Sequence, residues 1–135
     1  MKEKVDFEIV EIGLLRGHEE VIKTNLDTRI SKLERKGFYK PIIADKSSMV
    51  ILDGHHKWTA AGILGLKRVP VILIEYIEDE SVTVGVWPGC GRDNVSKKEV
   101  LSMGLSEELF PPKTSRHFFP FEIPQIQIPL DDLLD

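Results

Sequence analysis

The sequence predicts an α+β (mixed α/β) chain: one domain, residues 1–135, with a small mixed sheet and flanking helices. Three observations predict it. Short β-prone runs alternate with amphipathic or capped helical stretches from end to end. The 135 residues are 41% hydrophobic and 30% charged, enough apolar material for a core that needs no staple. The one cysteine, Cys90, leaves no internal disulfide and no cysteine-built zinc site.

The elements follow in order. Residues 7–12 set Phe7 and Ile9 against Glu8 and Glu11, the pattern of an edge or half-buried strand. Residues 14–17 connect. A helix is expected from Glu19, because Ile22, Leu26, Ile30 and Leu33 form one apolar stripe. Lys32, Arg35 and Lys36 suit the negative end of its dipole, and Gly37 fits just past its end. Residues 41–44 and 49–52 read as two short strands around the turn at 45–48, hence a hairpin. Asp53-Gly54 ends the second strand. A helix begins near His55, holds Trp58, Ala61, Ile63 and Leu64, and is closed by Gly65.

Residues 69–76 are continuously β-prone and predict a central strand buried on both faces. After a turn, residues 81–86 form another strand that ends at Trp87-Pro88-Gly89. Ser96-x-x-Glu99 is a capping box, so a short helix runs to Met103 with Gly104 after it. Phe110-Pro111-Pro112 breaks regular structure, and the Ile, Pro and Gln alternation at 123–129 excludes a central strand.

Charge narrows the function. The 22 acids outnumber the 18 bases, giving −4, which argues against a general nucleic-acid binder. The longest apolar runs are too short to span a membrane, and Met1-Lys2-Glu3-Lys4-Val5-Asp6 lacks the apolar core of a signal peptide. The expectation is a cytoplasmic protein with no membrane partner.

The chemistry concentrates at Ile51-Leu52-Asp53-Gly54-His55-His56-Lys57-Trp58. A strand delivers an acid, a glycine turns the backbone, and two histidines and a lysine open a helix. Free N–H groups and the positive dipole end make such a start an anion site. His55, His56 and Lys57 would add donors and charge there, and Asp53 would hold a magnesium ion or orient a phosphate-bound water. The same residues also fit a structural reading, in which Asp53 caps the helix and the histidines lie on the surface.

Those residues, with Ala61, Gly65 and Val69-Pro70-Val71, resemble the ParB/sulfiredoxin superfamily. His18-Glu19 and Phe110-Pro111-Pro112-Lys113-Thr114-Ser115-Arg116-His117, running on to Phe119-Pro120 and Leu130-Asp131-Asp132-Leu133, narrow the likeness. Together they resemble the free serine kinases of that superfamily, which phosphorylate L-serine to O-phosphoserine. The resemblance implies a ParB/sulfiredoxin-like fold and a phosphotransferase acting on an alcohol. It implies that Glu19 takes the proton from the serine hydroxyl and that Asp53 lies near the transferring phosphate. It implies donor binding by Gly54, His55, His56, Lys57, Lys113 and Thr114. Trp87, Ser115, Arg116 and His117 would hold L-serine. Magnesium is the expected cofactor, and the product would feed cysteine biosynthesis.

The chain departs from that pattern in two places. Only about 25 residues separate Trp87 from Lys113, where long archaeal relatives carry a segment that helps enclose a nucleotide. No glycine-rich nucleotide loop is present either. Inorganic pyrophosphate therefore stands beside ADP and ATP as the expected donor. Lys57 occupies a position where relatives often carry arginine, keeping charge but losing the planar fork. The alternative is a ParB-like nucleotide- or DNA-binding module without kinase activity. A sulfiredoxin is disfavoured, because it needs a cysteine where His55 and His56 stand, and Cys90 follows a different strand.

Overall fold

The computed structural model describes residues 6–135, so the reading of Met1 to Val5 as lacking a signal peptide lies outside the described residues. Nine regular elements follow one another among the described residues: β1 (Glu8–Glu11), α1 (Lys23–Lys36), β2 (Ile42–Asp45), β3 (Ile51–Asp53), α2 (His55–Ile63), β4 (Arg68–Ile74), β5 (Thr83–Val86), α3 (Lys97–Gly104) and β6 (Ser115–Phe118). Four strands form one mixed sheet in the order β1-β4-β2-β3. β4 runs parallel to β2 and antiparallel to β1, and β3 returns antiparallel to β2. The long apolar run of β4 is thus interior to the sheet, as its composition predicts, and β1 is an edge.

Strand alternation sends side chains to two apolar layers. Ile42 and Ala44 join Leu33, Ala60 and Ala61 beneath α1 and α2. Ile43, Val50 and Ile72 face the other way, against Tyr76, Val82, Val100 and Phe110. Each fully buried aliphatic side chain contributes roughly 1.5–3 kcal/mol. That is why the hairpin and β4 carry no polar residue on either face at their centres. No helix among the described residues is long and apolar enough to cross a membrane.

Three expectations are corrected. α1 starts at Lys23, four residues after Glu19. Residues 18–20 are instead held extended, because the Glu20 N–H donates to the Phe110 carbonyl and the Phe110 N–H to the His18 carbonyl, both at 2.8 Å. Phe110, expected to break regular structure, therefore forms a bridge with Glu19. Finally, residues 115–118, where no element was expected, form a strand. They pair antiparallel with β5, with Gly85 opposite Arg116 and Val86 opposite Ser115.

Other local signals fold as written. The Ser96 hydroxyl accepts the Glu99 N–H at 3.1 Å, and the Glu99 carboxylate accepts the Ser96 N–H at 3.0 Å, completing the capping box. Gly37 has φ of 73°, and a Cβ there would sit 2.5 Å from the Ile128 carbonyl oxygen. The C-terminal tail returns over that glycine, and Phe38 and Ile128 exchange two backbone bonds at 2.8 and 3.1 Å.

Candidate active site

The site begins at the end of β3. Gly54 adopts φ of 108°, and a Cβ there would lie 3.1 Å from Ile42 Cγ1. Only glycine fits this turn without strain. It swings the chain from Asp53 directly into α2, so Gly54 itself occupies the N-cap, with no side-chain cap from Asp53. The structural reading of Asp53 as a helix cap does not hold.

All four histidines of the chain gather behind this turn. His18 is buried; its Nδ1 bonds the Ile51 carbonyl at 2.8 Å and its Nε2 the Ser115 hydroxyl at 2.9 Å. A carbonyl only accepts, so Nδ1 carries the proton and Nε2 accepts from Ser115. His55 Nε2 accepts the His18 backbone N–H at 3.1 Å, and His56 Nε2 accepts the Ile22 N–H at 2.9 Å. Each of these two rings therefore keeps its proton on Nδ1. His117 Nε2 meets the Tyr76 hydroxyl at 2.8 Å.

Burial holds these rings uncharged. It lowers His18 to about 4 and His117 to about 3, and takes His55 well below the ordinary histidine range. His56 is lowered as well, by burial first and then by Arg29 and Lys113. His55 and His56 thus bring N–H donors to the helix start, not the charge expected of them. Lys57 keeps its charge at neutral pH, but that charge is engaged by backbone carbonyls. Its ammonium is buried and donates to the Pro41 carbonyl at 3.3 Å and the Lys40 carbonyl at 3.5 Å. Burial lowers its pKa to about 8.

Glu19 is fixed from a distant part of the chain. Its Oε1 accepts the Thr114 N–H at 2.6 Å and the Ser115 N–H at 2.9 Å. Lys113, just before, sits at φ of 56°, a left-handed turn that aims successive amides to one side. Burial raises the Glu19 pKa, and the two amides oppose that rise. One carboxylate oxygen is therefore committed to the backbone of residues 114 and 115.

These groups line one cavity of about 630 Å³. Glu19, Asp53, Gly54, His55 and His56 meet Trp87, Lys113, Ser115, Arg116 and His117 there. Lys57 also borders it. Thr114 does not; its hydroxyl donates to the Pro111 carbonyl at 2.7 Å, and its part is to position Glu19 through the amide. On β6, Ser115 and His117 turn inward while Arg116 is exposed. The Arg116 guanidinium lies between two rings, 4.5 Å from the Trp87 centroid and 5.1 Å from that of Phe118.

Five lining residues escaped the sequence reading: Asn25, Arg29, Lys32, Tyr39 and Lys40. Asn25, Arg29 and Lys32 each stand one position before a residue of the apolar stripe, so they share a helix edge. In sequence that edge is indistinguishable from a solvated face. With them the cavity holds six basic residues (Arg29, Lys32, Lys40, Lys57, Lys113, Arg116) against two acids (Glu19, Asp53). A chain of net charge −4 therefore contains a cavity built for anions. Among the described residues no group of three or more His, Cys, Asp or Glu is placed to hold a metal ion.

Comparison with known proteins places this geometry. No family model matches the chain. It is 47% identical over 73 residues to a ParB-like protein of Sulfolobus acidocaldarius, covering 54% of this chain and 36% of that one. It is 33% identical over 89 residues to the ADP-dependent L-serine kinase of Thermococcus kodakarensis, covering 62% of this chain and 36% of the relative. The chain thus spans about a third of the length of these relatives. A solved structure of a free serine kinase in complex with AMP superposes with a TM-score of 0.88 at 20% identity, covering 98% of this chain and 95% of the other. The chain therefore has the ParB/sulfiredoxin-like fold in the form solved for a free serine kinase.

Proposed function

We propose that the chain is a phosphotransferase that moves a phosphoryl group onto the hydroxyl of free L-serine, giving O-phospho-L-serine. The observation that carries this reading is the Glu19 carboxylate. It is fixed through one oxygen by the Thr114 and Ser115 amides, and it lines a basic cavity beside His55 and His56. The relatives named as L-serine kinases and the shared fold support the same reading.

Phosphoryl transfer needs alignment and charge neutralisation more than covalent help. Glu19 Oε2 accepts the hydroxyl proton as the serine oxygen attacks phosphorus, a role worth about 10²–10⁴-fold. Its raised pKa favours proton uptake. The α2 N-terminus and the Nδ1–H groups of His55 and His56 offer uncharged donors to the transferring phosphate. Neutral rings suit this task, because they do not compete with the basic residues for the anion's charge. Arg116, held 4.5 Å from the Trp87 ring centroid, presents a planar fork to the serine carboxylate.

Magnesium fits the residues as an ion carried by the donor. Asp53 supplies one carboxylate, and phosphate oxygens would complete the coordination, the usual way this cation is held. It would neutralise charge on the donor. We assign pyrophosphate, ADP or ATP as donor, a cytoplasmic setting, and supply of phosphoserine to cysteine biosynthesis. The basic residues are gathered in a concavity and not along an exposed stripe, which favours a small anion over a nucleic-acid backbone. The test incubates the protein with L-serine, magnesium and each donor in turn, and detects phosphoserine by mass spectrometry. Phosphoserine from at least one donor is expected; none from any donor overturns the proposal.

A further inference from the structure

His18 is fully buried and does not line the cavity, yet it ties four segments of the chain together. Its backbone N–H donates to His55 Nε2 at 3.1 Å, and its carbonyl accepts the Phe110 N–H at 2.8 Å. Its ring lies between β3 and β6, with Nδ1 donating to the Ile51 carbonyl and Nε2 facing the Ser115 hydroxyl. Burial keeps the ring neutral, so Nε2 carries a lone pair and no proton. The Ser115 hydroxyl therefore donates to it, at 2.9 Å. The same hydroxyl is close enough to the Glu19 carboxylate to act on its pKa. A hydroxyl has one proton, and here two acceptors compete for it, an imidazole and a carboxylate.

We infer that His18 is a positioning residue that takes the Ser115 hydroxyl proton and so keeps that hydroxyl from donating to Glu19. The inference rests on the phosphotransferase reading for the use made of Glu19, and adds what sets the strength of that base. A hydrogen bond donated to a carboxylate favours its charged form and weakens it as a proton acceptor. Glu19 Oε1 already accepts two amides. A hydroxyl donor added to them would pull the carboxylate down further, against the burial that raises it. The Ile51 carbonyl does the steering, because it holds the His18 proton on Nδ1 and leaves Nε2 as the acceptor. Ser115 is thus gripped by two consecutive residues in two different ways. Its hydroxyl goes to His18 and its backbone N–H to Glu19. The adjacency of histidine and glutamate at 18–19 has its physical reason in that division. His18 touches no reacting atom and acts only through Ser115.

The test is a carbon-13 NMR titration of the full chain labelled at its glutamate carboxyls, with Glu19→Gln identifying the resonance. Wild type is compared with Ser115→Ala, His18→Phe and the double variant, and thermal melts confirm folding. His55, His56, Lys113 and Arg116 line the cavity with Glu19, and Arg16 and Glu20 border Glu19 from a second cavity; all six are kept. The Glu19 midpoint should fall by about one pH unit in His18→Phe, where the hydroxyl has only the carboxylate to donate to. It should return to within about 0.3 unit of wild type in the double variant, and stay that close in Ser115→Ala. A residue that merely filled the core would not be rescued by removing the hydroxyl. An unchanged midpoint in folded His18→Phe, or a fall that the double variant keeps, overturns the inference. So does a rise of about one unit in Ser115→Ala, which would mean that the hydroxyl already donates to Glu19. That variant decides alone if His18→Phe does not fold. Phosphoserine formation is not the readout. A chain whose midpoints move as stated yet makes no phosphoserine retains this arrangement and loses the enzyme reading.

Discussion

Glu19 Oε1 lies 2.6 Å from the Thr114 amide nitrogen, a bond across 95 positions of sequence. It ties the extended segment before α1 to the start of β6. Burial raises the carboxyl while this amide and that of Ser115 oppose the rise. A base that titrates above the ordinary glutamate value should therefore limit the reaction on the acid side. The rate under kcat/KM conditions should fall as pH drops through a midpoint above 4.5, the unperturbed value. A pH–rate profile checks this. An acid limb at or below the ordinary value contradicts the assignment.

Stability should carry its own pH dependence. His18, His55 and His117 have folded pKa values depressed below 6.5 by burial. Between 6.5 and the folded values, the unfolded chain binds protons that the folded chain does not. Stability is thus fully present above 6.5 and is lost as pH falls toward about 4 for His18 and about 3 for His117. The loss by about pH 5 is roughly 2 kcal/mol each for His18 and His117, and His55 adds to it in the same direction. Glu19, shifted upward, works the other way, but it is one group against three. Urea unfolding at a series of pH values down to about 5 reads this directly. Constant stability across that range would mean the rings are not held neutral.

Gly54→Ala should destabilise the fold at the site itself. The residue needs φ of 108°, and a Cβ would meet Ile42 Cγ1 at 3.1 Å and Lys57 Cε at 3.3 Å. The cost should be about 1–3 kcal/mol. Urea unfolding measures it, and a change below a few tenths of a kcal/mol would show that the turn is not constrained as described.

Trp87→Leu should loosen Arg116 without touching Glu19. The ring lies 4.5 Å from the guanidinium, an exposed cation–π contact. Such contacts are worth about 0.5–1 kcal/mol, so KM for serine should rise about two- to fivefold with kcat largely kept. Steady-state kinetics separate the two constants. A fall in kcat at constant KM contradicts a role in holding the amino acid.

Much of this was legible in the sequence because it was local. The capping box at Ser96, the hairpin around residue 47, the glycine turn at 54 and the apolar run of β4 each follow from neighbouring residues. What was not legible depended on distant pairing. α1 starts late because Phe110 captures the backbone at residues 18–20, and no local signal announces a partner 91 positions away. No element was expected at residues 113–117, yet pairing with β5 makes most of that segment a strand. The histidines were found, but their charge state was misjudged, since it depends on burial and on which carbonyl or amide each ring meets. Arg29, Lys32 and Tyr39 were missed because a basic helix edge beside an apolar stripe resembles any solvated face.

The central claim is that Glu19 serves as the base in a phosphoryl transfer to serine. The most direct measurement is a phosphorus NMR time course with L-serine, magnesium and pyrophosphate, then ADP and ATP, comparing wild type with Glu19→Gln. The account predicts phosphoserine from wild type with at least one donor, and a rate lower by about 10²–10⁴-fold in the variant, which should still bind phosphoserine. Equal rates in the two proteins, or no phosphoserine from wild type with any donor, would contradict it.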